Sequence, residues 1–212
     1  MTGRYDGSNK LGKSRSARWL PTWNVSGAWH VTNEKFMEPI ETISRLTLRA
    51  TYGLTASMGP SSNSIAVLYN DVAYRPNQSD RENLIYISSL ENSELTWEKQ
   101  YETNVGIDLG LFDNRISLSA DVYWRKGFDL IGNVRTSGIG GQQTKKANYA
   151  NMKSNGVEFT LNTKNLVYSD FNWTTNWTFA FNKNKITKLE SRPRVIDLVQ
   201  AEGAPLKGYP VR

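Results

Sequence analysis

Cysteine is absent from the 212 residues, and histidine occurs once, at His30. A chain without cysteine forms no disulfide framework, thiolate zinc site, iron–sulfur cluster or cysteine nucleophile. A single histidine excludes a His-based metal cluster and leaves a Ser-His-Asp triad only through His30. Long apolar runs are missing too. The longest, residues 65–69, is far shorter than the about 20 residues a membrane-spanning helix requires. The residues after Met1 contain no apolar stretch, so no signal peptide is expected there. No long segment keeps a 3.6-residue period; residues 33–43 are expected to hold at most a short helical turn. What the chain does have is aromatics, 7 Trp, 10 Tyr and 7 Phe, and a net charge of +6.

Period-two alternation is the dominant pattern, and it reads as strand. Over residues 19–31, Trp19, Pro21, Trp23, Val25, Gly27, Trp29 and Val31 share one face, with small or polar residues on the other. Residues 44–54 place Leu46, Leu48, Ala50, Tyr52 and Leu54 opposite Arg45, Thr47, Arg49 and Thr51. Residues 95–111 place Trp97, Tyr101, Val105, Ile107, Leu109 and Leu111 opposite a face holding Glu98, Glu102 and Asp108. The same alternation runs through residues 115–125, around Val157, Phe159 and Leu161, and through 171–181. That makes about six strands.

Their connections alternate in length. Three are short, at about 32–43, 112–114 and 165–170; two are long, at about 55–94 and 126–155, and the tail after 182 is long and polar. In an antiparallel meander this puts short turns at one end and long loops at the other. An all-β antiparallel transmembrane barrel has that asymmetry, with its apolar face toward lipid and its polar face toward a wet lumen. The alternative is a soluble carbohydrate-binding β-sandwich, which buries its apolar face against a second sheet. The barrel reading also accommodates the charges Arg45, Arg49, Glu98, Glu102, Asp108, Asp121 and Glu158 on the polar face. Aromatics gather near strand ends, as interfacial girdles do. Trp19, Trp97, Tyr101 and Trp124 are expected at the loop end, and Trp29, Phe171 and Trp173 at the turn end.

Several segments then resemble the SusC/RagA branch of the TonB-dependent outer-membrane receptors. They are Arg4-Tyr-Asp-Gly-Ser-Asn-Lys-Leu-Gly-Lys followed by Trp19-Leu-Pro-Thr-Trp-Asn-Val-Ser-Gly-Ala-Trp, and Leu46-Thr-Leu-Arg-Ala-Thr-Tyr-Gly-Leu-Thr. Leu95-Thr-Trp-Glu-Lys with Asn104-Val-Gly-Ile-Asp-Leu-Gly resembles the family's L-x-W-E … N-x-G-x-D pattern. Asp121-Val-Tyr-Trp, Asp129-Leu-Ile and Asn155-Gly-Val-Glu-Phe follow in the expected order. The resemblance implies a barrel of roughly 22 strands around an N-terminal plug. It also implies coupling to a TonB complex, a SusD-like surface lipoprotein as partner, outer-membrane lipid around the wall, and oligosaccharide or peptide as cargo. Residues 1–212 are then expected to be a portion of the barrel domain, without plug or signal peptide. No catalytic, metal or cofactor-binding residue is expected, and no enzyme activity.

Other motifs have simpler explanations. Gly7-Ser-Asn-Lys-Leu-Gly12-Lys13-Ser14 matches the P-loop pattern, but no apolar strand precedes it, and an alternating strand with Pro21 is expected after Ser14 instead of a helix. Gly138-Ile-Gly-Gly lacks a βαβ context and is expected to be loop. His30 belongs to the polar face. Lysines 145, 146 and 153, and Lys183, Lys185, Lys188, Arg192 and Arg194, suggest either an anionic partner or, more simply, solvated loop. Nucleic acid is not expected, because the aromatics lie on the opposite face. In the long loop, Tyr69, Tyr74, Arg75 and Tyr86 are the candidates for cargo or lipoprotein contact, since sugars pack on aromatic faces.

Overall fold

The computed structural model describes residues 1–59, 63–74, 81–139 and 142–190. Its frame is one antiparallel sheet of seven strands: β1 (Thr2–Gly7), β2 (Trp19–His30), β3 (Ile43–Ser57), β6 (Glu98–Leu111), β7 (Ile116–Arg135), β8 (Thr144–Val167) and β9 (Asn172–Leu189), side by side in that order. A two-stranded hairpin, β4 (Val67–Tyr74) with β5 (Arg81–Ser89), is inserted between β3 and β6. A one-turn helix, α1 (Arg15–Arg18), leads into β2. Every sheet neighbour is antiparallel and consecutive apart from that insertion, so the sheet is an up-and-down meander.

The six alternating segments are strands β2, β3, β6, β7, β8 and β9, because in a pleated chain successive side chains leave on opposite faces. The register lines them up into rows. Gly27, Ala50, Val105, Val122, Val157 and Phe181 are cross-strand partners on one face. Ala28, Arg49, Gly106, Asp121, Glu158 and Ala180 form the neighbouring row on the other. Where a short helical turn is expected in 33–43, the chain forms two short 3-10 turns, Val31–Asn33 and Lys35–Met37, starting two residues earlier, so Val31 leaves the strand and is buried with Met37 under the turn end.

The structure adds to the sequence reading in three places. β1 and the β4–β5 hairpin were not legible as strands. The stretch 126–155, expected to be loop, is mostly strand: β7 and β8 continue as a tall hairpin beyond the apolar rows. At about 3.3 Å per residue, the 24 residues of β8 reach nearly 80 Å, whereas an apolar membrane band is about 25 Å tall. The lysines at 145, 146, 153, 183, 185 and 188 therefore stand on strands β8 and β9 and not on loops; Arg192 and Arg194 lie outside the described residues.

Among the described residues the wall has single buried side chains but no clustered hydrophobic core. Its apolar face is open, with Trp29 50 %, Val105 48 %, Trp124 49 % and Phe181 55 % exposed. No second sheet covers this face, since the only other described sheet is the β4–β5 hairpin. A soluble sandwich would bury these side chains, so the sandwich alternative fails. The buried cluster lies elsewhere, at the loop end, where Leu11, Leu95 and Trp97 pack with Leu20, Ala56, Met58 and Ile131.

Candidate functional site: the two wall faces and the loop anchor

The polar face carries a connected ion network, and glycines make room for it. Arg49 on β3 sits opposite Gly106 on β6, which sits opposite Asp121 on β7. A Cβ at Gly106 would overlap the Asp121 carboxylate and approach Arg49 Nη2 to 2.9 Å. The missing side chain thus opens a slot through which Arg49 reaches over a whole strand. Its Nη2 donates to Asp121 Oδ2 at 3.0 Å and to Asp108 Oδ1 at 3.2 Å. Its Nε lies 2.9 Å from Asp108 Oδ2 at too bent an angle for a hydrogen bond, so that contact is ionic. Ser119 Oγ donates to Asp108 Oδ1 at 2.7 Å and completes the cluster. One arginine therefore ties three strands together where a closed lumen would be wet.

A second cluster stands nearer the loop end. Arg125 Nη2 donates to Glu102 Oε1 at 3.2 Å, and its guanidinium lies 4.1 Å from the Tyr123 ring centroid. Planar guanidinium over an aromatic face is a cation–π contact. Tyr123 is buried because Gly156, its cross-strand partner on β8, leaves the space its phenol occupies; a Cβ there would clash with the ring. The glycines of Asn104-Val-Gly-Ile-Asp and Asn155-Gly-Val-Glu thus serve one purpose, giving long side chains of neighbouring strands room across the polar face. Elsewhere on this face, Arg4 pairs with Asp6 at 2.9 Å, and Thr22 donates to Asp6 Oδ2 at 3.3 Å. His30 Nδ1 is 3.1 Å from Thr47 Oγ1.

The expected girdle residues are placed as follows. Trp19 is exposed and stacks on Tyr5 at 5.2 Å. Trp124 is exposed at the upper end of the apolar rows. Tyr101 is half-buried between Tyr52, stacked at 6.2 Å, and Phe128, edge-on at 5.9 Å. Trp29, Phe171 and Trp173 are exposed toward the turn end, together with Phe36, Phe112 and Tyr168. Trp97 departs from the set. It precedes β6, is only 7 % exposed, and its indole N–H donates to Arg18 O at 3.0 Å. The loop folding over it, and not its parity in the sequence, decides its environment.

That loop is the anchor of the upper end. Gly12 N–H donates to Leu95 O at 2.8 Å, Lys13 N–H to Ser93 O at 2.9 Å, and Ser64 Oγ to Leu11 O at 2.8 Å. A Cβ at Gly12 would collide with the Ser93 carbonyl, so the residue that completes the P-loop pattern is needed for backbone approach. Ser14 Oγ accepts from Ala17 N–H and caps a helix of a single turn, too short for a phosphate-binding loop's helix. Asn148 on β8 clamps the same loop, accepting from Thr96 N–H at 2.9 Å and donating to Thr96 O at 2.8 Å. Among the described residues no group of His, Asp and Glu is placed to hold a metal ion.

Of the expected cargo-contact residues, Tyr69 and Tyr86 are cross-strand partners on the inserted hairpin, exposed and stacked at 5.9 Å. The side chain of Tyr74 and all of Arg75 lie outside the described residues, as do Gly140 and Gly141; Gly138 sits in a turn with φ +80°.

Comparison with known proteins agrees with this architecture. The TonB-dependent receptor P3 of Formosa agariphila is 31 % identical over 189 residues, which cover 89 % of this chain and 19 % of that protein. The TonB-dependent receptor SusC of Bacteroides thetaiotaomicron is 30 % identical over 200 residues, again 89 % of this chain and 19 % of that one. Among solved structures, the RagAB peptide transporter superposes with a TM-score of 0.76 at 29 % identity, over 88 % of this chain and 20 % of the other. This chain thus spans about a fifth of the length of the relatives it matches. The family model described as TonB dependent receptor-like, beta-barrel matches residues 1–211, and the chain belongs to that family.

Proposed function

We propose that this chain is a portion of the barrel wall of a TonB-dependent outer-membrane importer, acting by gated transport and not by bond chemistry. The observation that carries the reading is the two-faced sheet. Its apolar face is left open over many rows, while its polar face is cross-linked by Arg49, Asp108, Asp121, Glu102 and Arg125. In water alone such a sheet would leave a large aggregation-prone surface and, among the described residues, two unpaired edges at β1 and β9. Lipid on one side, a hydrated lumen on the other and further strands at both edges satisfy every part of it. The exposed aromatics Trp19, Trp124, Trp29, Phe171 and Trp173 then stand at the two lipid–water boundaries, where indole and phenyl rings settle.

The cargo is a nutrient, an oligosaccharide or a peptide, delivered with a SusD-like lipoprotein on the outside and energised by a TonB complex from within. The neighbour described as a peptide transporter supports the peptide reading. The stacked Tyr69–Tyr86 pair supports the sugar reading, because paired phenol faces suit pyranose rings. The test is uptake by cells carrying the intact receptor, against cells lacking it, with defined oligosaccharides and defined peptides as sole nutrients. Dependence on one class names the cargo, and growth unaffected on every member of both sinks the importer reading. Expression as a soluble monomer that melts cooperatively without detergent would sink the barrel reading itself.

A further inference from the structure

Where the apolar rows end on the loop side, the outward face changes abruptly. Lys126 on β7, Lys153 on β8 and Lys185 on β9 are direct cross-strand partners. Lys183 lies in the row below, partnered through Asn155 to Trp124. All four lysines are exposed. Like charges placed opposite one another on neighbouring strands repel, with Cβ atoms only about 5 Å apart. A row of three is therefore unfavourable unless an anion lies across it. No described carboxylate supplies one. The acids that follow along these strands are already engaged, Asp129 by Lys99 at 3.0 Å and Glu190 by Lys188 at 2.7 Å.

The height of the row identifies the source of the anion. Lys185 is twelve residues beyond Trp173 on the same strand. At about 3.4 Å per residue and about 45° of tilt, that is about 29 Å of vertical rise, close to the thickness of a bilayer's hydrocarbon core. The apolar residues Trp177, Phe179 and Phe181 fill the interval on the same strand face. The lysine stems can lie along this surface and lift their ammonium groups to its upper edge. A ligand here has its chains against the apolar rows and its negative charge at the lysine row.

We propose that Lys126, Lys153 and Lys185, flanked by Lys183 and Trp124, bind the phosphate of an outer-leaflet lipid headgroup. The proposal rests on the reading of this sheet as lipid-facing barrel wall. Three ammonium groups side by side make a strip rather than a pocket, suited to a fixed phosphate held at one depth by its own acyl chains. A freely diffusing phosphate lacks that second restraint.

The test uses the intact receptor, purified in detergent and shown to be folded by its heat-modifiable mobility on gels. Native mass spectrometry then measures retention of lipid A, of the same molecule stripped of phosphate, and of inorganic phosphate. Lipid A is expected to be retained at least about tenfold over the stripped form, because each lysine at a headgroup interface adds its own attraction. Lys126→Gln, Lys153→Gln and Lys185→Gln together are expected to abolish that preference, and the matching triple change to Arg to keep it. Equal retention of the two lipids, an unaffected Gln triple variant, or inorganic phosphate competing at the lipid's own concentration overturns the proposal. A native receptor that shows no heat-modifiable folded form overturns the wall reading on which it rests. The Gln triple variant must retain the folded mobility. If it does not, the three single Gln variants are measured instead, each expected to reduce retention, and no reduction in any of them overturns the proposal.

Discussion

The wall and the loop anchor are built on opposite principles. In the wall, strands β2, β3 and β6–β9 are held by backbone ladders and by side chains reaching sideways along each face, and few of their side chains are buried. In the anchor, Leu11 and Leu95 are 0 % exposed, and their segments are joined by the Gly12–Leu95 and Lys13–Ser93 backbone bonds, which link positions far apart in the chain. On the proposed reading the wall therefore depends on what surrounds it, lipid outside and water within, whereas the anchor carries its own small core. Regular order needs no core where the solvent on each side matches the face presented to it.

The anchor is the more sensitive of the two regions. Leu95→Ala is expected to cost about 2–5 kcal/mol locally, the range for emptying a well-packed leucine site. The loss should be read as faster hydrogen exchange at the amides of Gly12 and Lys13 in the intact receptor, with exchange at Val105 and Val122 unchanged. Spread of the effect into the wall would show that the two regions are one unit.

Next comes the wall's outer face. Val105→Arg puts a charge in the middle of the apolar rows and is expected to cost about 2–4 kcal/mol in bilayer unfolding measurements. A negligible cost would mean that this face does not meet lipid. On the inner face, Gly106→Val drives a branched side chain into the slot used by Arg49. Overpacking of this kind costs about 1–3 kcal/mol. Adding Arg49→Ala should relieve part of that cost, and a double-mutant cycle with no coupling would refute the account of the glycine. The smallest effect belongs to Lys13→Ala. The Lys13–Glu91 pair is 2.5 Å long but 74 % and 47 % exposed, so its loss should change stability by less than about 0.5 kcal/mol.

Legibility in the sequence followed the same division. Alternation revealed the wall wherever one face is apolar and the other polar, as in 171–181. It failed where both faces are wet, as in the upper halves of β7 and β8, where Lys126–Arg135 and Thr144–Asn155 keep their ladder but lose the period that marks it. β1 was invisible for the same reason: Thr2, Arg4 and Asp6 are polar, and Tyr5 alone represents the apolar side. Trp97 shows the reverse error. Its spacing matched the outward row, but the chain at 92–96 turns over Leu11 before β6 begins and carries the indole inside.

Sequence by itself determined the strands that present one apolar and one polar face, because successive side chains of a strand leave on opposite sides and the alternation is written residue by residue. It also held the family pattern, whose glycines and acids recur at fixed spacing. Only the tertiary structure decided what those spacings accomplish. Arg49, Gly106, Asp108 and Asp121 are separated by as many as 72 positions and meet because three strands stand side by side. The lysine row likewise exists only in register, since nothing along one strand marks Lys126, Lys153 and Lys185 as neighbours. Alternation is a local property and survives in one dimension; cross-strand adjacency is set by pairing and does not.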